Sequence, residues 1–337
     1  MRIVAATLDD LLRRVFSKLL KTDGRAKPTR GKTLELTGVL LTLSNPRARL
    51  SQTELRGKIF SCLGELLWYL AQSNELRFIK YYVSRYEQES EDGKTIHGAY
   101  GPRLFGGNGY QNQIGNVVAR LRKNEDTRRA VIQLFDAADL VGDHQEIPCT
   151  CTLQFILRDH RLHMLTSMRS NDAFIGLPHD IFAFTMLQEI LARTLGKEVG
   201  LYKHVVGSLH LYESDVRGAR KYMAEGWQPT VSMPPMPNGD PWHSIDKLLG
   251  AEKRIRNGYD VNVASLKLDP YWSDLIRLLQ IFRFSKDGSG RRIPSVKRKM
   301  STEVYNPYIE KRQVARTPAS TGPEQFDLFE AILSSRP

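Results

Sequence analysis

The residues able to do chemistry gather in one stretch, from Ile147 to Asp215. It opens with Pro148-Cys149 at the head of an alternating apolar run. It continues through Arg169-Ser170-x-Asp172 and a Gly-Leu-Pro turn, then a long amphipathic helix that carries Asp180 near its start. It closes in Gly207-Ser208-x-His210-x-Tyr212. A thiol, a guanidinium, two carboxylates, a hydroxyl, an imidazole and a phenol therefore fall on strand ends and at a helix start. A binding module rarely needs so varied a set, whereas nucleophilic and acid–base catalysis do. A cysteine is more often a small buried hydrophobe than a nucleophile. Two-residue spacing places Cys149 and Cys151 on one face of a strand, and likewise His210 and Tyr212.

These groups need elements to position them. Apolar residues from Leu8 to Leu20 recur at helical spacing, which predicts a helix over residues 7–21. Asp9 and Asp10 inside it, with no small-residue cleavage site after it, argue for a folded helix over a targeting segment. Residues 22–32 read as a basic loop containing Arg25 and Arg30, and residues 33–44 as a strand. Residues 55–73 read as a second helix containing GELLWYLAQS. Its Glu65 lies beside Cys62, Leu66 and Tyr69, where a glutamate ordinarily marks a helix margin. Burial there would cost several kcal/mol unless the carboxyl were paired or protonated. Residues 98–101 read as a turn carrying Tyr100, 112–121 as a helix, 130–135 as a strand and 142–146 as a hairpin-like connection. Residues 149–157 and 161–168 read as paired strands, 178–195 as a buried helix capped by Gly196, and 199–208 as a strand.

Composition sets the outer bounds. The chain has 337 residues, 41% hydrophobic and 26% charged, which fits one large soluble domain or two modest ones. Its cysteines are Cys62, Cys149 and Cys151, so no disulfide framework is expected and a reducing cytoplasm fits. No apolar run reaches transmembrane length. The net charge is +12, and residues 285–316 hold nine Lys/Arg against three Asp/Glu, 9 − 3 = +6. That balance suggests an anionic partner, a nucleotide or nucleic acid, although a solvated basic tail explains the segment equally well.

At this point the sequence resembles the thymidylate synthase family, and within it the branch that hydroxymethylates pyrimidine nucleotides. The resemblance runs from about Leu8 to Tyr212. It rests on Pro148-Cys149, on RSNDAFIGLPHDI at 169–181, on Gly207-Ser-Leu-His-Leu-Tyr212, on GELLWYLAQS and on the pair Arg128-Arg129. It implies an α+β fold, a large mixed sheet covered by helices, in a homodimer paired sheet to sheet with shared active sites. It also implies one-carbon transfer from 5,10-methylenetetrahydrofolate to C5 of a pyrimidine nucleoside monophosphate.

The implied roles follow residue by residue. Cys149 would add to C6 of the base and so make C5 nucleophilic. Arg169 beside it would lower the thiol pKa and, with Ser170, bind the 5′-phosphate. Arg128 and Arg129 would reach that phosphate from the neighbouring subunit. Arg30, or Arg25 in its place, would add a further guanidinium. His210 and Tyr212 would bind the sugar 3′-hydroxyl. Ser208 stands where the family usually has Asp, which leaves ribose against deoxyribose open. Glu65 would organise waters and move protons, Tyr100 would line the site, and Asp172 would receive the pterin ring. Cys151 is expected to be structural.

Asp180 decides the base. Thymidylate synthases resemble this chain there except for an Asn, whose amide offers uracil one donor and one acceptor. A carboxylate accepts from the cytosine N4 amino group instead. The segment 80–90, KYYVSRYEQES, also lacks the tryptophans with which thymidylate synthases shield the one-carbon unit, unless Tyr82 or Tyr86 packs there. A less shielded methylene would be trapped by water. The expected activity is thus formation of 5-hydroxymethyl-dCMP. A thymidylate synthase methylating dUMP is the alternative, and a non-catalytic nucleic-acid-binding or scaffold protein a third. About 125 residues follow Tyr212, with a Pro-rich link at 229–241, an aromatic helix at 270–284 and a final helix at 323–333. The expected division is a catalytic part over 1–225 and an extension over 226–337 that completes or decorates the same domain.

Overall fold

The computed structural model describes residues 1–314 apart from Thr29 and Asn108. Its frame is a seven-stranded mixed sheet. The strands are β1 (Arg2–Ala5), β2 (Arg25–Ala26), β3 (Thr33–Leu43), then, past a small hairpin of β4 (Gly106–Gly107) and β5 (Tyr110–Asn112), β6 (Val131–Gln133), β7 (Thr150–Arg158), β8 (Arg161–Asp172) and β9 (Glu198–Tyr212). The order is β1-β3-β9-β8-β7-β6, with β2 on the end of β3. Pairs β1·β3 and β8·β9 are parallel, and the remaining pairs of the large sheet are antiparallel. The parallel β8·β9 pair needs a crossover, and α6 (Gly176–Thr194) supplies it. This pairing sets Asp172 opposite His210 and Ser170 opposite Ser208, so residues 38 positions apart meet at one strand end.

The helices lie in chain order as α1 (Leu8–Leu19), α2 (Ile59–Leu70), α3 (Leu76–Tyr82), α4 (Tyr100–Phe105), α5 (Gln113–Lys123), α6, α7 (Val216–Ala224), α8 (Trp242–Arg256), α9 (Pro270–Lys286), α10 (Ile293–Lys297) and α11 (Asn306–Val314). Helix α1 begins where Thr7 accepts the N–H of Asp10, a side-chain cap that satisfies one free donor of the first turn. Helices α2 and α6 are buried on nearly all sides, as their near-continuous apolar sequences require. Close packing is enforced at Gly64 of α2, where a Cβ would fall 2.1 Å from Cγ of Tyr82. One strand face carries the core, for example Leu153, Phe155 and Leu157 of β7. The other leaves Leu201 and Val131 37% and 43% exposed.

The structure departs from the sequence reading in places. Tyr100 starts a helix rather than sitting in a turn, and α2 begins at Ile59, after the turn in which Gly57 N–H bonds to Thr53 O. Strand β1 and helices α3, α7 and α8 were not legible, since each is short or lacks a clean period. The expected final helix at 323–333 lies outside the described residues. The later helices share the main core. Phe282 of α9 stacks on Phe60 of α2 and on Tyr82 of α3, with ring centroids 5.8 and 5.3 Å apart. Tyr308 of α11 donates to Ser51 O, and Tyr222 of α7 donates to buried Asp9. The basic residues of 285–314 are partly tied down: Arg292 bonds Asp260, and Lys297 bonds Glu310. Among the described residues no helix is long and apolar enough to cross a membrane.

Candidate active site

The ends of β8 and β9, the start of α6 and one face of α2 enclose a cleft of about 500 Å³. That is room for a nucleotide and part of a second ligand. It brings together Arg30, Glu65, Tyr100, Cys149, Arg169, Ser170, Asp172, Asp180, His210 and Tyr212. Arg25 is not among the lining residues, and its guanidinium donates to the carbonyls of Thr22 and Gly24 in its own loop. Arg128 and Arg129 are exposed just before β6, away from this cleft, and Arg129 lines a separate shallow depression with Arg120.

Cys149 sits immediately before β7. Arg169 Nη2 lies 3.6 Å from its sulfur, while Arg169 Nε and Nη2 donate to the carbonyls of Pro148 and Ile147 at 3.0 and 3.1 Å. The expectation of a lowered thiol pKa is not met. Burial pushes the thiol up to about 11, and Arg169 offsets only part of that, with Glu146 and Asp180 adding to the rise. Cys151 does not share the Cys149 face. It is the extra residue of a β-bulge, because Thr150 pairs with Met168 and Thr152 with Ser167. A bulge interrupts the two-residue alternation, and Cys151 does not line the cleft.

The cleft floor is a buried polar chain. Asp180 Oδ2 accepts from Asn171 Nδ2 at 2.7 Å. Asn171 Oδ1 takes Nε2 of His204 at 3.0 Å, and His204 Nδ1 meets the Tyr202 hydroxyl at 2.7 Å. Burial drops the His204 pKa to about 3, so the ring is neutral and the chain has one direction: Tyr202 donates to His204, His204 to Asn171 and Asn171 to Asp180. Burial, with Glu65 and Asp172 nearby, raises Asp180 to about 8 against the single lowering bond from Asn171. Asn171 is a residue that sequence reasoning missed. Its position inside Arg-Ser-Asn-Asp was visible, but its partners come from β9 and α6.

Glu65 is buried, 7% exposed, rather than at a helix margin. Its Oε1 accepts from the hydroxyls of Tyr69 at 3.1 Å and Tyr86 at 2.6 Å. Burial raises its pKa, and the two phenols pull it back in part. Tyr86 also packs edge-on against Trp68, centroids 5.3 Å apart, whereas Tyr82 turns away to bond Glu252. Of the two tyrosines considered for the missing tryptophans, Tyr86 is therefore the one in the site. Tyr100 Oη accepts the backbone N–H of Thr150 at 3.1 Å, which pins it beside Cys149.

The cleft mouth is cationic. Arg30 pairs with Glu89, and Arg85, which the sequence did not single out, lies 3.9 Å from the same carboxylate. With Arg169 they make three guanidinium groups lining the cleft. His210 and Tyr212 are edge to face, centroids 5.1 Å apart. Ser208 donates to Glu35 of β3, so a carboxylate stands next to the position where the family has Asp. Asp172 Oδ1 takes the N–H groups of Phe174 and Ile175 at 2.8 and 3.3 Å, and its Oδ2 is buried with no partner. An orphaned buried acceptor in a wall shared with Trp68 and Ile175 suits a flat ring that carries N–H donors.

Fold and site together define a class, and the chain belongs to the thymidylate synthase family, whose model matches residues 8–248. Within it, the chain is similar to the deoxyuridylate hydroxymethyltransferase of Pseudomonas phage M6, 37% identical over 157 residues, 46% of this chain and 44% of that protein. It is also similar to the deoxyuridylate hydroxymethyltransferase of Delftia phage PhiW-14, 31% identical over 209 residues, 58% of this chain and 57% of that protein. The matches thus span about half the length of these curated relatives.

Proposed function

We propose that this protein hydroxymethylates C5 of a pyrimidine deoxynucleotide, dCMP before dUMP, with 5,10-methylenetetrahydrofolate as one-carbon donor. The observation that carries this reading is the Asp180 carboxyl on the cleft floor. Asn171 takes one lone pair of its Oδ2, which leaves Oδ1 and the second lone pair of Oδ2 for the base. An ionised Asp180 accepts from the cytosine N4 amino group. A protonated one donates to N3 while still accepting from N4. Both states therefore fit cytosine. The uracil reading is favoured by the names of the phage relatives and by the raised Asp180 pKa, since a neutral carboxyl offers uracil one donor and one acceptor, as an amide does.

The remaining residues fall into place around that base. Arg30, Arg85, Arg169 and Ser170 hold the phosphate, where forked guanidinium groups bind oxygens in pairs. His210 and Tyr212 take the sugar hydroxyl. Cys149 adds to C6, with Arg169 as the counter-charge against which its thiolate forms. Tyr100, fixed by Thr150, flanks that addition. Glu65 and its two phenols hold or move protons at the ring edge. Asp172, through its free Oδ2, and the wall of Trp68 and Ile175 would hold the folate, which supplies the carbon at the methylene oxidation level. Incubation with dCMP or dUMP, the folate and ¹⁸O-water tests the reading by product mass. Labelled CH2OH on the cytosine nucleotide is expected. A methyl product would return the chain to thymidylate synthesis, and no product would mean a non-catalytic role.

We further propose a homodimer in which Arg128 and Arg129 serve the partner's phosphate site. They lie outside their own cleft, next to a sheet face with exposed Val131 and Leu201. Arg128→Ala and Cys149→Ser proteins, each inactive alone, are expected to regain about a quarter of wild-type activity after mixing and subunit exchange. Random exchange of equal amounts makes half the dimers mixed, each with one intact site. Confirmed exchange without recovery would assign the pair to its own subunit.

A further inference from the structure

One carboxyl in the cleft has no part in the roles above. Glu146 lines the wall three residues before Cys149. Its Oε2 is sealed from solvent and finds no hydrogen-bond partner. The carboxyl fits because residue 98 is glycine: a Cβ there would lie 2.1 Å from Oε2, 2.8 Å from Cδ and 2.9 Å from Oε1. A buried acceptor without a partner costs a few kcal/mol, which makes its placement beside the nucleophile significant. It is also close enough to Cys149, Tyr86 and Tyr100 for its charge to raise all three.

The geometry of a pyrimidine says what lies near it. C5 sits between C6, where Cys149 adds, and the 4-position, which Asp180 reads. A substituent on C5 therefore points between those two residues, into the cleft that Tyr100, Tyr86, Trp68, Glu65 and Glu146 also line. A hydroxymethylase must place and deprotonate a water there. Glu65 spends its Oε1 on two phenols, Asp180 is committed to Asn171 and the base, and Asp172 to the N–H groups of Phe174 and Ile175 and, in the reading above, to the folate. Glu146 keeps its Oε2 without a partner.

We propose that Glu146 is the general base that activates the hydrating water, an inference that rests on the hydroxymethylase reading above. The water oxygen bonds to the exocyclic methylene carbon as one of its O–H bonds breaks, and that proton goes to the Glu146 carboxylate. The π pair of the exocyclic double bond moves into the ring. It then expels Cys149 from C6 as thiolate, restoring the C5–C6 double bond. No oxidant or reductant is consumed. The groups acting electrostatically on Glu146 suit the task. Burial, then Glu89, raises it to about 7, while Gly98 N–H, Arg30 and Arg103 hold it down. A base near neutrality is the efficient choice.

The test separates the step before hydration from hydration itself. Folate-dependent tritium release from [5-³H]dCMP reports loss of the C5 proton, which precedes water attack. In a single turnover with Glu146→Gln in excess over dCMP, tritium release is expected within about threefold of the wild-type rate, while hydroxymethyl product forms about a hundredfold more slowly. Added 2-mercaptoethanol should then capture the methylene as a thioether nucleotide. Wild-type product formation should rise with pH through about 7, and Glu146→Gln should lose that limb. Glu146→Asp, which keeps the carboxylate, should retain the limb and about a tenth of the rate; it carries the test if the Gln protein fails to bind dCMP. Unchanged product formation in Glu146→Gln, or tritium release falling in step with product, overturns the proposal. The second outcome would place the carboxylate at Cys149 instead. If the underlying reading fails, the signature differs: wild type itself makes no hydroxymethyl product.

Discussion

Cys149→Ser should abolish turnover, by at least about 10⁴-fold, while dCMP still binds within about threefold of wild type. An alcohol is a far weaker nucleophile than a thiol toward C6, and it ionises far less readily. The nucleotide's phosphate and sugar contacts come from Arg30, Arg85, Arg169, His210 and Tyr212, which this change leaves in place. Cys151→Ser should leave kcat within twofold, because the bulge takes that residue off the cleft wall. Steady-state kinetics with equilibrium dCMP binding checks both. Activity retained in Cys149→Ser and lost in Cys151→Ser would make Cys151 the nucleophile.

Asp180→Asn should change which base is used. Wild type is expected to prefer dCMP over dUMP by at least about a hundredfold in kcat/KM, some 2.7 kcal/mol of transition-state stabilisation. The variant should weaken or reverse that preference, since each mismatched buried group costs about 1–3 kcal/mol. Any wild-type activity on dUMP should fall as pH rises through about 8, because uracil O4 needs the carboxyl proton. Stability gives an independent check. The folded-state pKa of Asp180 is raised, so its contribution is fully present below the ordinary value of 3.8 and is lost as pH climbs through about 8. Asp180→Asn should flatten that decline in a urea series from pH 4 to 9. Wild type turning over dUMP as well as dCMP would remove the cytosine assignment.

Much of the site was legible because its residues sit in short linear runs. Arg169 to Asp180 spans one strand end and one helix start, and His210 and Tyr212 lie two apart on one strand, so the motifs that carry the family resemblance line one cleft. The missing parts depend on distant partners. Asn171 gains its meaning from His204 and Asp180, Arg85 from Glu89, and Glu146 from the lack of a side chain at Gly98. Two inferences failed for local physical reasons. One extra residue at Cys151 defeated the alternation rule, and burial outweighed Arg169 at the Cys149 thiol. The extension reads as completing or decorating the same domain, with no place in it assigned. Its helices join the main core at a place that no period in their own sequence announces.

That packing bears on how the protein melts. Phe282 is held between Phe60, five residues before Glu65 on the same helix, and Tyr82, four residues before Tyr86. Heat cannot loosen the late helices without freeing the two segments that carry Glu65 and its phenol partner. Calorimetry should therefore record one endotherm, with loss of dCMP binding at the same temperature. Phe282→Ala, removing about 3–5 kcal/mol of buried contact, should move that single peak down whole. A low-temperature shoulder that leaves nucleotide binding intact would mean that the late helices form an independent thermal unit.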